Sequence, residues 1–360
     1  MNASDIQERF AQARAAGLRH KEAAASIGIS EGAAIAAHTG THDRPLKATP
    51  LRGDWLEILK ALEACGPVLA LTRNESTVHE KTGVYEKLSA TGPVGLALGE
   101  AIDLRIFFAN WHAGFGVSEA AANPGTPASL SLQFYNAHGL AVHKVFCRDA
   151  TDRAAFEAVV QRFADTSLAP TFGPKPAAEP VKADTDIDTA GLLAGWADMQ
   201  DTHDFFLLLK KFGAERQQSL RLAEGRFTRR ISTSAPRDLL LEAAVDGAPI
   251  MVFVGNAGCI QIHSGPVQRI EPLEMRGVPW LNVLDAGFNL HLREDVIDTA
   301  WVVEKPTADG VVTSIEAFDR DGELMAMFFG TRKPGQPERE DWRAIVRKMT
   351  PLAVAVAEAA

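Results

Sequence analysis

Residues 68–83 read VLALTRNESTVHEKTG, and residues 250–265 read IMVFVGNAGCIQIHSG. Both alternate apolar and polar positions with β-branched enrichment, the period of a strand that buries one face. A second pair, SLQFYNAHGLAVHKVF from 131 and SIEAFDRDGELMAMFF from 314, breaks at hairpin signals, N-A-H-G in one and D-R-D-G in the other. The first pair superposes at a spacing of 182 residues and the second at 183, so Asn74 falls on Asn256, Gly83 on Gly265 and Gly139 on Gly322. Between them, AIDLRIF at 101–107 aligns with GFNLHLR at 287–293 after a small insertion, and Asp103–Leu104 meets Asn289–Leu290. The chain repeats itself.

Helical patterns precede the strands in each half. HKEAAASIGISEGAAIAAH at 20–38 and LLKKFGAERQQSLRLA at 208–223 each read as a helix, a glycine near the turn and a second helix. The expected fold class is therefore α+β: two tandem structural repeats, each with helices packed on a large antiparallel β-sheet. Residues 167–188 hold four prolines among alanines and charges, a poor core former, and read as the linker between an amino-terminal repeat at 1–166 and a carboxyl-terminal repeat at 189–360. The stretch 120–127, AAANPGTP, reads as a loop without a site role.

Composition narrows the class. A chain of 360 residues with 46% hydrophobic and 23% charged residues has the make-up of a soluble globular protein. No run reaches the ~20 apolar residues of a membrane helix, and the opening MNASDIQERFAQARAAG lacks the apolar core of a secretory signal, so the expected compartment is cytoplasmic, without membrane insertion. Cys65, Cys147 and Cys259 lie far apart, which argues against a zinc cluster or a disulfide framework. A net charge of −9 argues against a general nucleic-acid binder. Residues 21–37 do resemble a helix-turn-helix, yet the second helix, SEGAAIAA, offers no side chain suited to reading base edges.

The segment with the most chemistry is 199–223. Asp201 or Thr202 can cap a helix, which places His203 in its first turn above Phe206, Leu207 and Lys210. Gly213 closes that helix, and a second one carries Arg216 and Gln217. An imidazole on a rigid helix beside aromatics, facing a basic helix, suits a flat anionic ligand with a metal centre; the same residues also suit a capping histidine on an ordinary helical hairpin. The corresponding place in the first repeat holds Leu18 and no histidine, so a site at His203 would occur once per chain.

With these pieces assembled, the sequence resembles the bacterial hemin-degrading factor family of HemS/HmuS-type haem-utilisation proteins over nearly its whole length. The resemblance rests on RNESTVHEKTGVY (73–85), AIDLRIFFANW (101–111), DTHDFFLLLKKFGAERQQ (201–218), NLHLREDVIDTAWVVEKPTADG (289–310) and AMFFGTRKPG (326–335). It implies a fold of paired structural repeats and makes His203 the axial ligand to haem iron, with Phe205 or Phe206 shielding it. Arg216 and Gln217 match positions lining the haem pocket, where a guanidinium suits a propionate. Arg105 matches the distal arginine of the amino-terminal wall, with Phe107 on the same strand face, where a cation stabilises charge developing near the iron. Phe253 would pack on the porphyrin, and Arg293 and His291 are further candidates for the carboxyl-terminal wall, with His203 rather than His291 as the ligand. By sequence context alone, Arg216 reads equally as a solvent-facing charge, Arg105 as a salt-bridge partner and Phe253 as core.

The resemblance implies a haem-binding protein of iron acquisition that opens the macrocycle, given an electron donor. The alternative is a carrier passing haem from an importer to a separate haem oxygenase or reductase; a helix-turn-helix regulator is the remote third reading.

Overall fold

The structure, a computed structural model, describes residues 1–121, 123, 125–178, 180–332 and 335–352. Parts of the loop at 120–127, of the linker and of the block at 326–335 thus lie outside the described residues, as does the end of the second repeat. The chain divides into two compact units: Met1–Arg73 with His79–Pro176 and Gly255–Ile262, and Asn74–Val78 with Ala177–Val254 and His263–Ala360. The repeats are contiguous in sequence, whereas the units exchange two short segments, each at the aligned asparagine turn.

In the first unit, strands Leu46–Leu51, Ala113–Glu119, Ser129–Tyr135, Ala141–Phe146, Val68–Arg73 and Thr77–Gly83 lie side by side in that order. Alternation gives this sheet two buried faces. Leu132 and Phe134 join Ile58, Leu59, Phe156 and Val159 from helices Trp55–Ala61 and Arg153–Phe163. Tyr135, Phe115 and Val117 join Phe10, Ala24, Ala34 and Ile35 from helices Ala3–Ala15, His20–Ser26 and Glu31–Ala36. Leu88–Thr91, Val94–Leu98 and Asp103–Phe107 form a meander, and Asp103–Phe107 also pairs with residues 259–262.

The second unit repeats the plan. Thr228–Ile231, Ile297–Thr307, Gly310–Asp319, Leu324–Gly330 and Ile250–Gly255 form its sheet. One face carries helices Thr189–Ala197, Asp204–Phe212 and Arg216–Leu222, the other Ala235–Asp246 and Glu340–Lys348. Even the register is duplicated: Val117–Ser131–Phe146–Leu69 form one row across four strands, and Val303–Ser314–Phe329–Met251 the matching row.

The aligned asparagines do the same work twice. Asn74 Nδ2 donates to the carbonyls of Leu324 and Met325, while its Oδ1 accepts from the amides of Ser76 and Thr77. Asn256 donates to the carbonyls of Arg73 and Val142 and accepts from Gly258 and Cys259.

Two expectations change. The linker is tethered at both ends: Phe172 packs on Tyr135 and His112 at its start, and Gln218 binds the Lys182 carbonyl and Asp184 at its end. The helix-turn-helix reading fails on burial, since Glu31, Gly32, Ala34 and Ile35 of the supposed recognition helix are buried. A side chain at Gly32 would meet Gly139 at 2.8 Å, so this helix is pressed against the hairpin and presents no reading face.

The first unit also buries a polar chain that the second lacks. Tyr85 Oη lies 2.5 Å from His143 Nε2, His143 Nδ1 lies 2.8 Å from Thr72 Oγ1, and Thr72 donates to Gln261 Oε1 at 2.9 Å. Thr72 spends its proton on Gln261, so His143 Nδ1 must be the donor to it, and Nε2 accepts from Tyr85. The repeat spacing maps Thr72, Tyr85 and His143 onto Val254, Val267 and Ala326, all buried and apolar. Burial pushes the His143 imidazole down to about 3. Its folded value is depressed, so the unfolded chain binds the extra proton between about pH 6.5 and 3, and stability falls as pH falls through that window. His143→Gln removes one titrating group and should flatten the plot of unfolding free energy against pH between 4 and 6 by up to about 1.4 kcal/mol per pH unit. A slope equal to wild type in pH-resolved urea unfolding would contradict a neutral buried imidazole.

Candidate functional site

Helix Asp204–Phe212 is set by its pattern. Phe205, Leu208 and Leu209, spaced i, i+3, i+4, are buried. Asp204 at its start and Lys210 and Lys211 at its end complement the helix dipole. Gly213, at φ 63°, supplies the left-handed residue that ends it. His203 stands immediately before the helix rather than inside its first turn, but its angles, φ −70° and ψ −22°, already follow the helical rotation. It therefore shares a face with Phe206, Leu207 and Lys210, as the sequence spacing requires. That face is open: the His203 side chain is 89% exposed, Phe206 71% and Leu207 64%. Of the two phenylalanines, Phe206 stands beside the imidazole and Phe205 turns into the core.

Asp201 does more than cap. Its Oδ1 accepts the His203 amide at 2.8 Å and lies 2.5 Å from His203 Nδ1. The hydrogen bonds from the His203 backbone and ring hold the Asp201 carboxyl below its usual range. An ionised carboxylate only accepts, so Nδ1 carries a proton, and in the neutral ring the lone pair is then on Nε2, away from Asp201. A carboxylate fixing the tautomer of an exposed imidazole is the arrangement of a histidine prepared to bind a metal. The sequence signal was D-T-H, two residues apart.

Beneath this helix lies a charged core that sequence reasoning missed. Arg216, first residue of helix Arg216–Leu222, donates from Nε and Nη2 to the two oxygens of Glu316, each at 2.8 Å. Buried Lys305 donates to Glu316 at 2.9 Å, and Ser314 adds a hydroxyl at 3.0 Å. Burial alone would raise the Glu316 carboxyl; the charges of Arg216 and Lys305 outweigh it and hold it far below the carboxylate range. The propionate role expected of Arg216 thus meets a built-in competitor, and its guanidinium serves first as partner to a buried anion. The only signal for Glu316 and Lys305 was a charge on an otherwise apolar strand alternation.

Gln217 Nε2 donates to Thr299 Oγ1 at 2.6 Å. Phe253 lies on the half-exposed face of its strand, opposite Met327, with its ring 5.1 Å from that of Phe329. Arg216 Nη2 reaches Met327 Sδ at 3.2 Å, so Arg216 and the Phe253 row meet over one sheet face. Arg293 lies on the separate meander Ile270–Met275, Val278–Asp285 and Phe288–Arg293, where it pairs with Asp295 at 3.0 and 2.5 Å. His291 Nδ1 is 2.6 Å from Asn282 Oδ1 on the neighbouring strand.

In the first unit, strand Asp103–Phe107 buries Leu104 and Ile106 and turns Asp103, Arg105 and Phe107 to the half-buried face. Arg105 and Phe107 share a face as expected of an extended segment. The Arg105 guanidinium hydrogen-bonds Asp103 and reaches the Leu104 carbonyl at 3.2 Å.

The repeats differ at the helix start. Helix His20–Ser26 opens on a histidine, one residue from where His203 would map when the two helix starts are matched. That imidazole is turned inward, with Nε2 3.0 Å from Glu119, which also receives Arg14. Burial favours the neutral Glu119 acid, but hydrogen bonds from His20 and Arg14 overcome it and bring the carboxyl down to about 2. At this helix start the first repeat therefore spends its histidine internally, whereas the second presents its own to solvent.

Comparison with known proteins identifies the family. The haemin-degrading HemS.ChuX domain matches the chain twice, over residues 28–163 and 213–349. The hemin transport protein HemS of Yersinia enterocolitica is 37% identical over 352 residues, 96% of this chain and 97% of that protein. Holo-PhuS, a haem-binding protein from Pseudomonas aeruginosa, has 42% identity and a TM-score of 0.91, covering 98% of this chain and 100% of its own. ChuS, described as a haem-degrading enzyme of Escherichia coli O157:H7, has 34% identity and a TM-score of 0.86, covering 97% of this chain and 100% of its own. One match to each repeat, and relatives that span both from end to end, place this chain in the haemin-degrading HemS.ChuX family.

Proposed function

We propose that this protein binds haem through His203 as axial iron ligand and degrades the macrocycle in haem-iron acquisition, in the cytoplasm, given an electron donor and oxygen. The observation that carries the reading is the exposed imidazole whose Nδ1 is held by Asp201 while Nε2 faces outward over Phe206 and Leu207. The donor set fits the group: a neutral imidazole nitrogen suits iron, and two exposed apolar side chains beside it suit a porphyrin face. ChuS, 34% identical, is described as an E. coli haem oxygenase, which supports degradation.

Bound haem would supply the redox-active iron and, as substrate, the ring to be opened. This chain's residues supply the rest. Asp201 orients the imidazole and raises its basicity. Phe206, Leu207 and Phe253 cover apolar surface and displace water from it. Arg105, with Phe107 beside it on the same strand face, would offer a guanidinium able to stabilise developing negative charge. Arg293 offers a guanidinium to a propionate; its pair with Asp295 is local and a third exposed, so exchange for another carboxylate costs little. Arg216 and Gln217 line the same helix start but are anchored to Glu316 and Thr299.

The same axial residues would serve a second reading, a carrier that takes haem from an importer and passes it to a separate oxygenase or reductase. The openness of His203 favours it, since a side chain this exposed suits exchange of cargo.

Hemin titration tests the shared premise: a Soret band typical of histidine ligation should grow with wild type and be shifted or lost in His203→Ala. Unchanged spectra would end both readings. Asp201→Ala should weaken hemin binding about tenfold or more by freeing the ring to rotate and change tautomer; wild-type affinity would contradict the orienting role of Asp201.

Ascorbate in air with catalase present then separates the two: loss of the Soret band with appearance of a bilin indicates turnover, and a persistent Soret band indicates a carrier. Arg105→Ala should slow turnover roughly tenfold or more while leaving hemin affinity nearly intact. An equal loss of both would refute a distal role.

A further inference from the structure

Lys305 is the least expected residue beneath the His203 helix. It is buried on strand Ile297–Thr307, donates to Glu316 at 2.9 Å, and places its ammonium 4.7 Å from the centre of the Phe205 ring. Arg216, bound to the same carboxylate, places its guanidinium 5.3 Å from that ring. Two cations held by one anion thus address a single aromatic ring, both within cation–π range. Trp196 closes against it edge-on at 4.6 Å.

Phe205 is two residues beyond His203. At ~100° per residue the two side chains point to nearly opposite sides of the helix. Holding Phe205 inward therefore turns the imidazole outward. An apolar contact would tolerate the ring sliding, whereas attraction between a cation and the ring's π-system depends on where the charge sits over the ring.

Comparison of the repeats separates this role from a general need of the fold. Lys305 pairs with Val312 and Glu119 with Ser129, so the register maps Lys305 onto Glu119. Arg216 maps onto Glu31 and Glu316 onto Gln133. In the first repeat these residues disperse: Glu119 to Arg14 and His20, Glu31 to Lys144, Gln133 to Ser131 and Tyr135. The matching positions there gather no cation pair on one ring, the pair of Arg52 and Arg162 on Phe163 belonging to the core cluster of the other helices, and the matching helix presents no exposed histidine. Burying a lysine costs several kcal/mol that an apolar side chain would avoid; the device occurs in the repeat where it has something to orient.

We propose that Lys305 is a positioning residue for the iron ligand, acting with Glu316 and Arg216 through Phe205 to fix the rotation of the first helical turn and hence the direction of the His203 imidazole. The inference rests on the reading that His203 binds haem iron.

The test uses the full chain with hemin, read by low-temperature electron paramagnetic resonance and by hemin off-rate. Wild type should give one dominant ligand-field species. Lys305→Met, of similar length and without charge, should give mixed or shifted species and release hemin about tenfold faster, the scale of losing a group that orients an iron ligand. Lys305→Arg should restore both. Without haem, amide exchange at 203–206 should quicken in Lys305→Met. A folded Lys305→Met with wild-type resonance and off-rate overturns the proposal. If that variant does not fold, Phe205→Leu decides, since it leaves Lys305, Glu316 and Arg216 intact and removes only the ring: altered ligation supports the proposal and wild-type ligation overturns it. His203→Ala is the control. If its hemin spectrum equals wild type, the haem-ligand reading has failed and this inference goes with it; if its spectrum changes while Lys305→Met and Phe205→Leu do not differ from wild type, only the positioning role has failed.

Discussion

Each sheet depends on one side chain that donates and accepts at the same time. At Asn74 and Asn256 the amide nitrogen binds two carbonyls of other strands while the amide oxygen closes a tight turn through two backbone amides. Aspartate could close the turn but not bind the carbonyls, and leucine could do neither. Four backbone groups at a strand crossing would otherwise lack partners, and each buried unpaired group costs about 1–3 kcal/mol. The turn occurs at the points where short segments pass from one compact unit to the other, so the same interaction fixes the hairpin and the membership of the units.

A frame held this way is indifferent to what fills it. The row Val117–Ser131–Phe146–Leu69 matches Val303–Ser314–Phe329–Met251 in register and keeps a buried serine in both, yet other buried polar groups differ between the repeats. One repeat encloses Tyr85, His143 and Thr72, where the other has valines and an alanine. One places Glu31 over Lys144; the other places Arg216 over Glu316 and Lys305. Duplication supplied two scaffolds, and the chemistry diverged at positions pointing between sheet and helices, where a substitution leaves strand pairing untouched.

This division explains how much the sequence disclosed. Strand pairing follows a period of two and turn residues, both local, so the repeats, the hairpins at Gly139 and Gly322 and the match of Asn74 with Asn256 could be read directly, whereas what these asparagines bind could not. The shared face of Arg105 and Phe107 follows from the same period, and the face of His203, Phe206 and Leu207 follows from helical rotation. Partners far apart in the chain were hidden. Glu316 lies 100 residues from Arg216, and nothing in SIEAFD marks that glutamate as buried. Lys305 sits in VVEKPT, where it reads as an ordinary outward charge. The segment exchange was equally invisible, because a strand carries the same alternation whichever unit it completes. The first repeat's inward histidine was missed for a smaller reason: matching Gly28 to Gly213 sets Leu18 against His203, while matching the helix starts brings His20 beside it.

The arginines show why burial, more than identity, decides what a charge can do. Arg105, Arg216 and Arg293 each meet a carboxylate: Asp103, Glu316 and Asp295. Each of the pairs at Arg105 and Arg293 joins residues two apart in the chain, the first on one strand face and the second across a strand end, and each is about a third exposed on both sides. Such pairs contribute roughly 0–1 kcal/mol, and water can take over either partner. Either arginine can exchange its carboxylate for another anion at little cost. Glu316 is fully buried, and removing Arg216 from it would strand an anion in the core with Lys305 as its remaining cation. One residue type thus stands in two situations here: beside a half-exposed carboxylate it is a replaceable partner, and over the buried Glu316 it is a fixed counter-charge.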